Sequence, residues 1–156
     1  MDGRIPAIAI LAVAITAGGG MWYAQEYGFY DEIDPATVQL TVMRNGAPVP
    51  LSIDAVQAID AGSSPIRWRA CFQLLEPLPD GAEPFPAPTP LVPPNWFSCF
   101  DAGQLQADLK SGAATAYLSQ PEIRPDVDRV IAVYPDGRAF GWHQFNDKTP
   151  ERGVMD

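Results

Sequence analysis

Residues able to do chemistry are scarce in this chain: 156 residues carry one histidine and two cysteines. No Gly-x-Ser-x-Gly elbow, phosphate loop or His-Glu-x-x-His is present. The lone His143 could act as a base only with a nucleophile and an orienting acid, and the sequence marks neither. A structural or surface role is therefore expected for it, and with no cofactor motif in the chain the protein reads as noncatalytic. Positive charge is also scarce, with 10 Lys plus Arg against 19 Asp plus Glu and a formal charge of −9. Such a surface repels nucleic acid and anionic lipid, and favours basic partners through long-range steering.

What the chain does have is one long apolar run. Residues 5–24, IPAIAILAVAITAGGGMWYA, hold no charge, and as a helix they cover about 30 Å, the thickness of a bilayer core. Pro6 fits the first turn, while Trp22, Tyr23, Tyr27 and Tyr30 supply amphipathic rings at the far boundary. Arg4 precedes the run; Glu26, Asp31, Glu32 and Asp34 follow it, with no Lys or Arg before Arg44. The positive-inside rule then predicts an inner-membrane, single-pass protein with residues 1–4 in the cytoplasm and the remainder in the periplasm. A cleaved signal peptide is the competing reading, since Ala17, Gly18 and Gly19 offer small residues to a peptidase. Ala14 and Gly18 lie four apart, as do Ala12, Thr16 and Gly20, a spacing that lets a second helix approach closely. Ala and Gly are also simply common in membrane helices.

After a juxtamembrane linker at 25–36, residues 37–145 have room for one small α+β domain, mostly antiparallel, followed by a flexible tail at 146–156. Val38, Leu40 and Val42 alternate with polar neighbours over 37–43, and Asn45-Gly46 supplies a tight hairpin turn to a second strand at 47–53, demoted to an edge by Pro48 and Pro50. Asp54 is placed to cap a short helix over 54–60. Beyond it, Ile66, Trp68, Ala70, Phe72 and Leu74 form one strand face, and Arg67, Arg69, Cys71 and Gln73 the other. Residues 77–94 hold eight prolines, so they should be extended and cannot pair as a central strand. A helix is expected over 101–110, capped by Asp101 and stopped by Gly112, then a short strand at 115–118. The hairpin 127–134 and 138–145 turns at Pro135-Asp136-Gly137, and its first arm should be covered on both faces.

Two cysteines in an exported domain read as one disulfide, Cys71 to Cys99, far from the Cys-x-x-Cys spacing of a redox pair. The bond would pin the proline-rich loop beside Trp96, Phe97 and Phe100. Reduced, Cys71 and Cys99 could join His143 as soft ligands for copper or zinc, an arrangement that oxidation abolishes. Asp126 and Asp128 are expected to pair with Arg124 or Arg129, and Arg67 and Arg69 with acidic residues of the covering loop, although an anion site at the two arginines stays open.

The order of apolar anchor, AIDAGSSPIRWRACF, NWFSCFDA and DRVIAVYPDGRAFGWHQ resembles a family of short uncharacterised alphaproteobacterial proteins, a domain of unknown function. That resemblance implies no activity and carries no site residues. Two functional expectations follow from the residues. One is an accessory, assembly or scaffold subunit of a membrane complex, with an integral membrane partner and a respiratory complex meeting a basic periplasmic protein as one setting. The other is an anchored ligand- or metal-binding module using the aromatic region of Trp68, Trp96 and Trp142.

Overall fold

Two hydrophobic layers share one antiparallel sheet, and the alternation of side chains along its strands decides which residue enters which layer. A computed structural model describes residues 3–146. The tail expected at 146–156 lies outside the described residues except for Asn146. The elements are α1 (Arg4–Tyr23), β1 (Asp31–Glu32), β2 (Thr41–Arg44), β3 (Ala47–Pro50), β4 (Ile53–Asp60), β5 (Arg69–Leu74), α2 (Ala102–Ser111), β6 (Thr115–Arg124), β7 (Val127–Val133) and β8 (Arg138–Phe145). Six strands form a sheet in the order β1-β4-β5-β8-β7-β6, and β2 and β3 form a separate hairpin. The fold is α+β.

Along β5, Ala70, Phe72 and Leu74 face a layer shared with Trp68, Ile131, Ala139 and, from the hairpin, Leu40 and Val42. Cys71 faces the opposite layer, built from Phe97, Phe100, Ala102 and Leu105 over Val130, Ala132 and Trp142. The cysteine thus points toward the loop, as the alternation predicts. In β7, between β6 and β8, Ile131 enters one layer and Val130 and Ala132 the other, so the strand is covered on both faces. Asn45 and Gly46 adopt φ of 51° and 77°, the two positive values the β2–β3 turn requires. The Asp101 side chain caps α2 by accepting from Gln104 N at 2.9 Å, and Gly112 ends the helix at φ 81°.

Three elements differ from the sequence reading. The helix expected at 54–60 is strand β4, paired with β5 through Gln57–Cys71, Ala58–Ala70 and Ile59–Arg69. Asp54 does accept a backbone hydrogen bond, but from Ala55 at 2.7 Å, and Ala55 sits at φ 50° where the register shifts. The cap-like residue serves a bulge, and complete burial of Ile59 outweighs the local helix signal. The first strand begins only at Thr41, because Asp34 caps a 3₁₀ turn over Pro35–Thr37. Strand β6 runs on to Arg124 through Pro121, which an edge strand with a shifting register tolerates.

The loop over 77–94 is extended and held largely by other segments. Glu83 N donates to Met43 O at 2.8 Å, Phe85 N to Ala116 O at 2.9 Å, and Leu118 N to Glu83 O at 2.9 Å, so this part bridges β2 and β6. Further on, the Gln144 amide donates to Ala87 O at 3.1 Å and accepts from Thr89 N at 2.8 Å, and Arg69 Nε donates to Leu91 O at 2.7 Å. The Cys71–Cys99 disulfide follows, with Cα atoms 6.3 Å apart.

Two stability predictions follow. A Cβ at Gly141 would lie 2.8 Å from Cζ3 of the buried Trp68 ring. Gly141→Ala should therefore lower the unfolding free energy by about 1 to 3 kcal/mol in urea titrations of the detergent-solubilised chain. The disulfide closes a loop of 28 residues, so reduction should cost about 3 to 4 kcal/mol, read from the denaturant midpoint with and without a phosphine reductant. A midpoint indifferent to reduction would remove the bond from its stabilising role.

Candidate functional site

The residues that could carry function gather where the N-terminal helix meets the sheet. The helical stretch Arg4–Gly28 is long and apolar enough to cross a bilayer, and none of α1 is buried against the domain. A core helix of a soluble protein would be buried, so the apolar surface here fits a membrane anchor or a signal sequence. Ala12, Ala14, Thr16, Gly18 and Gly20 lie on this exposed surface, and an added Cβ at Gly18 or Gly20 would meet nothing within 4 Å. Thr16 Oγ1 donates to Ala12 O at 2.8 Å within the helix.

Past Tyr23 the helix widens into a π turn over Ala24–Gly28, and this turn is tied to the domain. Glu26 O, a carbonyl the helix end leaves without an intrahelical partner, accepts from Trp96 Nε1 at 2.6 Å. The Glu26 carboxylate accepts from Asn95 N at 2.6 Å. Tyr30 packs edge-on against Trp96 at 6.4 Å, and the Arg67 guanidinium lies over Phe29 and Tyr30 at 5.8 and 5.4 Å. Three residues after Trp96, Cys99 joins the loop to β5. The N-terminal helix is thereby linked to a central strand through one loop.

Arg69 and Arg67 do not pair with acidic residues of the loop. Arg69 is 3% exposed, and besides Leu91 O its donors go to Ile66 O and Trp68 O, both at 2.7 Å. Burial lowers its pKa to about 10, which leaves it charged at neutral pH. Asp128 makes no ion pair either; its carboxylate accepts from Glu122 N at 2.9 Å and Asn146 Nδ2 at 3.1 Å. Among the described residues the one ion pair is Arg138 with Asp136, at 2.7 Å on the surface.

His143 lies on the face opposite the disulfide, stacked on Trp68 with centroids 4.9 Å apart. Its Nδ1 is 3.0 Å from Pro65 O, a contact that places the proton on Nδ1, and its Nε2 accepts from Arg129 Nε at 3.1 Å. Both ring nitrogens are engaged, and the ring is 4% exposed. Burial first, then the neighbouring Arg129 charge, pushes the pKa down to about 4. A metal set of Cys71, Cys99 and His143 is not assembled: the sulfurs are bonded to each other and the imidazole is on the far side of the sheet. The aromatic region does not converge, since Trp68 and Trp142 belong to opposite layers.

Sequence reasoning gave Asn95 no role, treated Glu26 only as a charge beyond the span, and gave Arg129 only an acidic partner in place of His143. The last was within reach: a hairpin turning at 135–137 pairs Arg129 with His143. Glu26 and Asn95, 69 residues apart, give no local signal of their meeting.

The histidine generates a pH prediction. Its ordinary pKa of 6.5 applies to the unfolded chain and about 4 to the folded one, so the unfolded state takes up the proton first. Stability is full above pH 6.5 and falls as pH drops toward 4, by up to about 3 kcal/mol from this group. Urea midpoints between pH 7 and 4 should fall less steeply in His143→Gln. Parallel slopes in the two proteins would sink the assignment.

Residues 38–152 match a family described as a family of unknown function (DUF6446). No curated protein and no solved structure matches the chain. The matched span takes in every strand of the sheet except β1, together with the disulfide and the Arg129–His143 pair, and agrees with the resemblance to an uncharacterised family read from the sequence. The chain belongs to DUF6446, a family of unknown function.

Proposed function

We propose that the protein is a noncatalytic accessory, assembly or scaffold subunit of a membrane complex, held by a retained single-pass anchor. The observation that carries this reading is the contrast at α1: no residue of the helix is buried, yet its end is hydrogen-bonded to the domain through Glu26. A helix used only as a tether has no need of a fixed orientation relative to its domain. One that packs against a partner helix benefits from that orientation, because less freedom is lost when the complex forms. The small residues Ala12, Ala14, Thr16, Gly18 and Gly20 supply surface for such packing.

The charge pattern supports one topology: Arg4 before the span and four acidic residues by Asp34 favour a cytoplasmic N-terminus and a periplasmic domain. The disulfide suits an oxidising compartment, and the formal charge of −9 favours a basic partner surface, as in a respiratory complex.

Affinity purification from native membranes in mild detergent is expected to recover an integral membrane protein with the chain. Gly18→Leu should reduce that recovery about tenfold or more while leaving the urea midpoint of the domain unchanged. Recovery of the monomer alone would remove the basis for the subunit role.

A further inference from the structure

Beyond the subunit role, the guanidinium of Arg129 has donors that the fold does not use. Its Nε is committed to His143, and the guanidinium carbon lies 4.2 Å over the Trp68 ring. No hydrogen bond or ion pair engages Nη1 or Nη2 among the described residues. Among the described residues no side-chain nitrogen or oxygen is both fully buried and unpartnered, so these Nη atoms reach solvent. Arg129 lines a cleft of about 280 Å³ together with Ile33, Thr37, Val38, Gln39, Asp60 and Trp68.

The cleft holds a second unused group. Asp60 Oδ1 accepts from Ala61 N at 2.8 Å, while Oδ2 makes no hydrogen bond among the described residues and acts on Arg129 and Arg69 only through its charge. Asp60 and Arg129 border the same cleft without forming an ion pair within 4 Å. A simple anion placed on Arg129 would meet the Asp60 charge, and a simple cation on Asp60 would meet Arg129. A molecule with both charges on neighbouring atoms satisfies both. The volume falls just below the roughly 300 Å³ at which clefts for drug-sized ligands begin, so the fitting molecule is small.

We infer that this cleft binds a small zwitterion, an α-amino acid, with its carboxylate on the Arg129 fork and its ammonium on Asp60. The fork suits a carboxylate because two parallel N–H groups can donate to its two oxygens. It is also held in place before the ligand arrives. Trp68 supports it from below, His143 fixes Nε, and Pro65 O fixes the imidazole, so little freedom is lost on binding. His143 is a positioning residue in this scheme: neutral, it accepts from Arg129 and adds no competing charge. Ile33 and Val38 supply an apolar wall, and Gln39, exposed at the rim, has an amide to offer the ligand side chain.

Isothermal titration of the full chain in detergent with each protein α-amino acid tests the assignment, alongside the matching deaminated carboxylic acids. At least one amino acid should bind saturably, and its deaminated analogue about tenfold or more weakly. Arg129→Lys should weaken binding about tenfold or more through loss of the fork. Because Arg129 also packs on Trp68, Asp60→Asn is the cleaner variant; its amide oxygen can keep the bond to Ala61 N while the charge is removed, and it should cost a similar factor. The inference is overturned if no amino acid gives a signal at millimolar concentration, if the deaminated acid binds equally well, or if Asp60→Asn binds like the parent.

Discussion

The bond between Cys71 and Cys99 is the constraint on which the remainder of the architecture depends. Ordering backbone costs about 1 to 2 kcal/mol per residue, and a loop with few ladder hydrogen bonds has little to set against that. The eight prolines over 77–94 reduce the loss by restricting the unfolded chain. The disulfide then fixes where the loop returns to the sheet. Once Cys99 is held against β5, Phe97 and Phe100 enter the layer with Trp142, and α2 starts at Ala102 with Leu105 facing the same core. Asn95 and Trp96 are held by the same closure, and they receive Glu26. The seating of the anchor thus depends on a covalent bond far from it in sequence.

Prolines create a second constraint, a shortage of donors. Each removes an N–H but keeps its carbonyl, so a loop with eight of them has more acceptors than its own backbone can serve. Side chains from the sheet make up the difference. Gln144 serves Ala87 O, and Arg69, with five N–H donors, serves Leu91 O as well as Ile66 O and Trp68 O. This explains why a guanidinium is almost fully buried without an ion pair, the Asp60 charge acting on it only at longer range. Its hydrogen bonds to carbonyl dipoles and the Phe100 ring at 6.0 Å replace its hydration, at the expense of a lowered pKa.

The parts of the fold legible in the sequence are those set by short-range chemistry. Asn45-Gly46 and Pro135-Asp136-Gly137 each dictate a backbone turn, Asp101 and Gly112 bound a helix, and alternation through β5 puts Cys71 on the loop side. Failure came where a local signal had two uses. Asp54 can cap a helix or stabilise a bulge, and only the distant strand β5 decides between them. The acid–arginine pairings at Asp128 and Arg69 were misread for a related reason. Charge opposition is visible in a sequence, whereas the carbonyls, amide groups and rings that take its place become neighbours only through the fold.

The placement of the Arg129 cleft near the N-terminal helix follows from chain length. Gly28 ends the π turn and Asp31 begins β1, paired with Asp60, so only Phe29 and Tyr30 separate the anchor from the sheet edge. That fixes the end of the sheet bearing Asp60, Arg69 and His143 near the helix, and sends the larger groove of about 480 Å³ around Leu74 and Gly137 to the far end. The segment leaving β1 then supplies Ile33, Thr37 and Val38 to the cleft beside Arg129. Glu26, β1 and that cleft wall therefore lie within one short run of chain, fastened at Asn95 and Trp96 before it and at Asp60 within it. A cleft built this way shares its wall with the anchor's own attachment, so its shape is set by the same contacts that orient the helix.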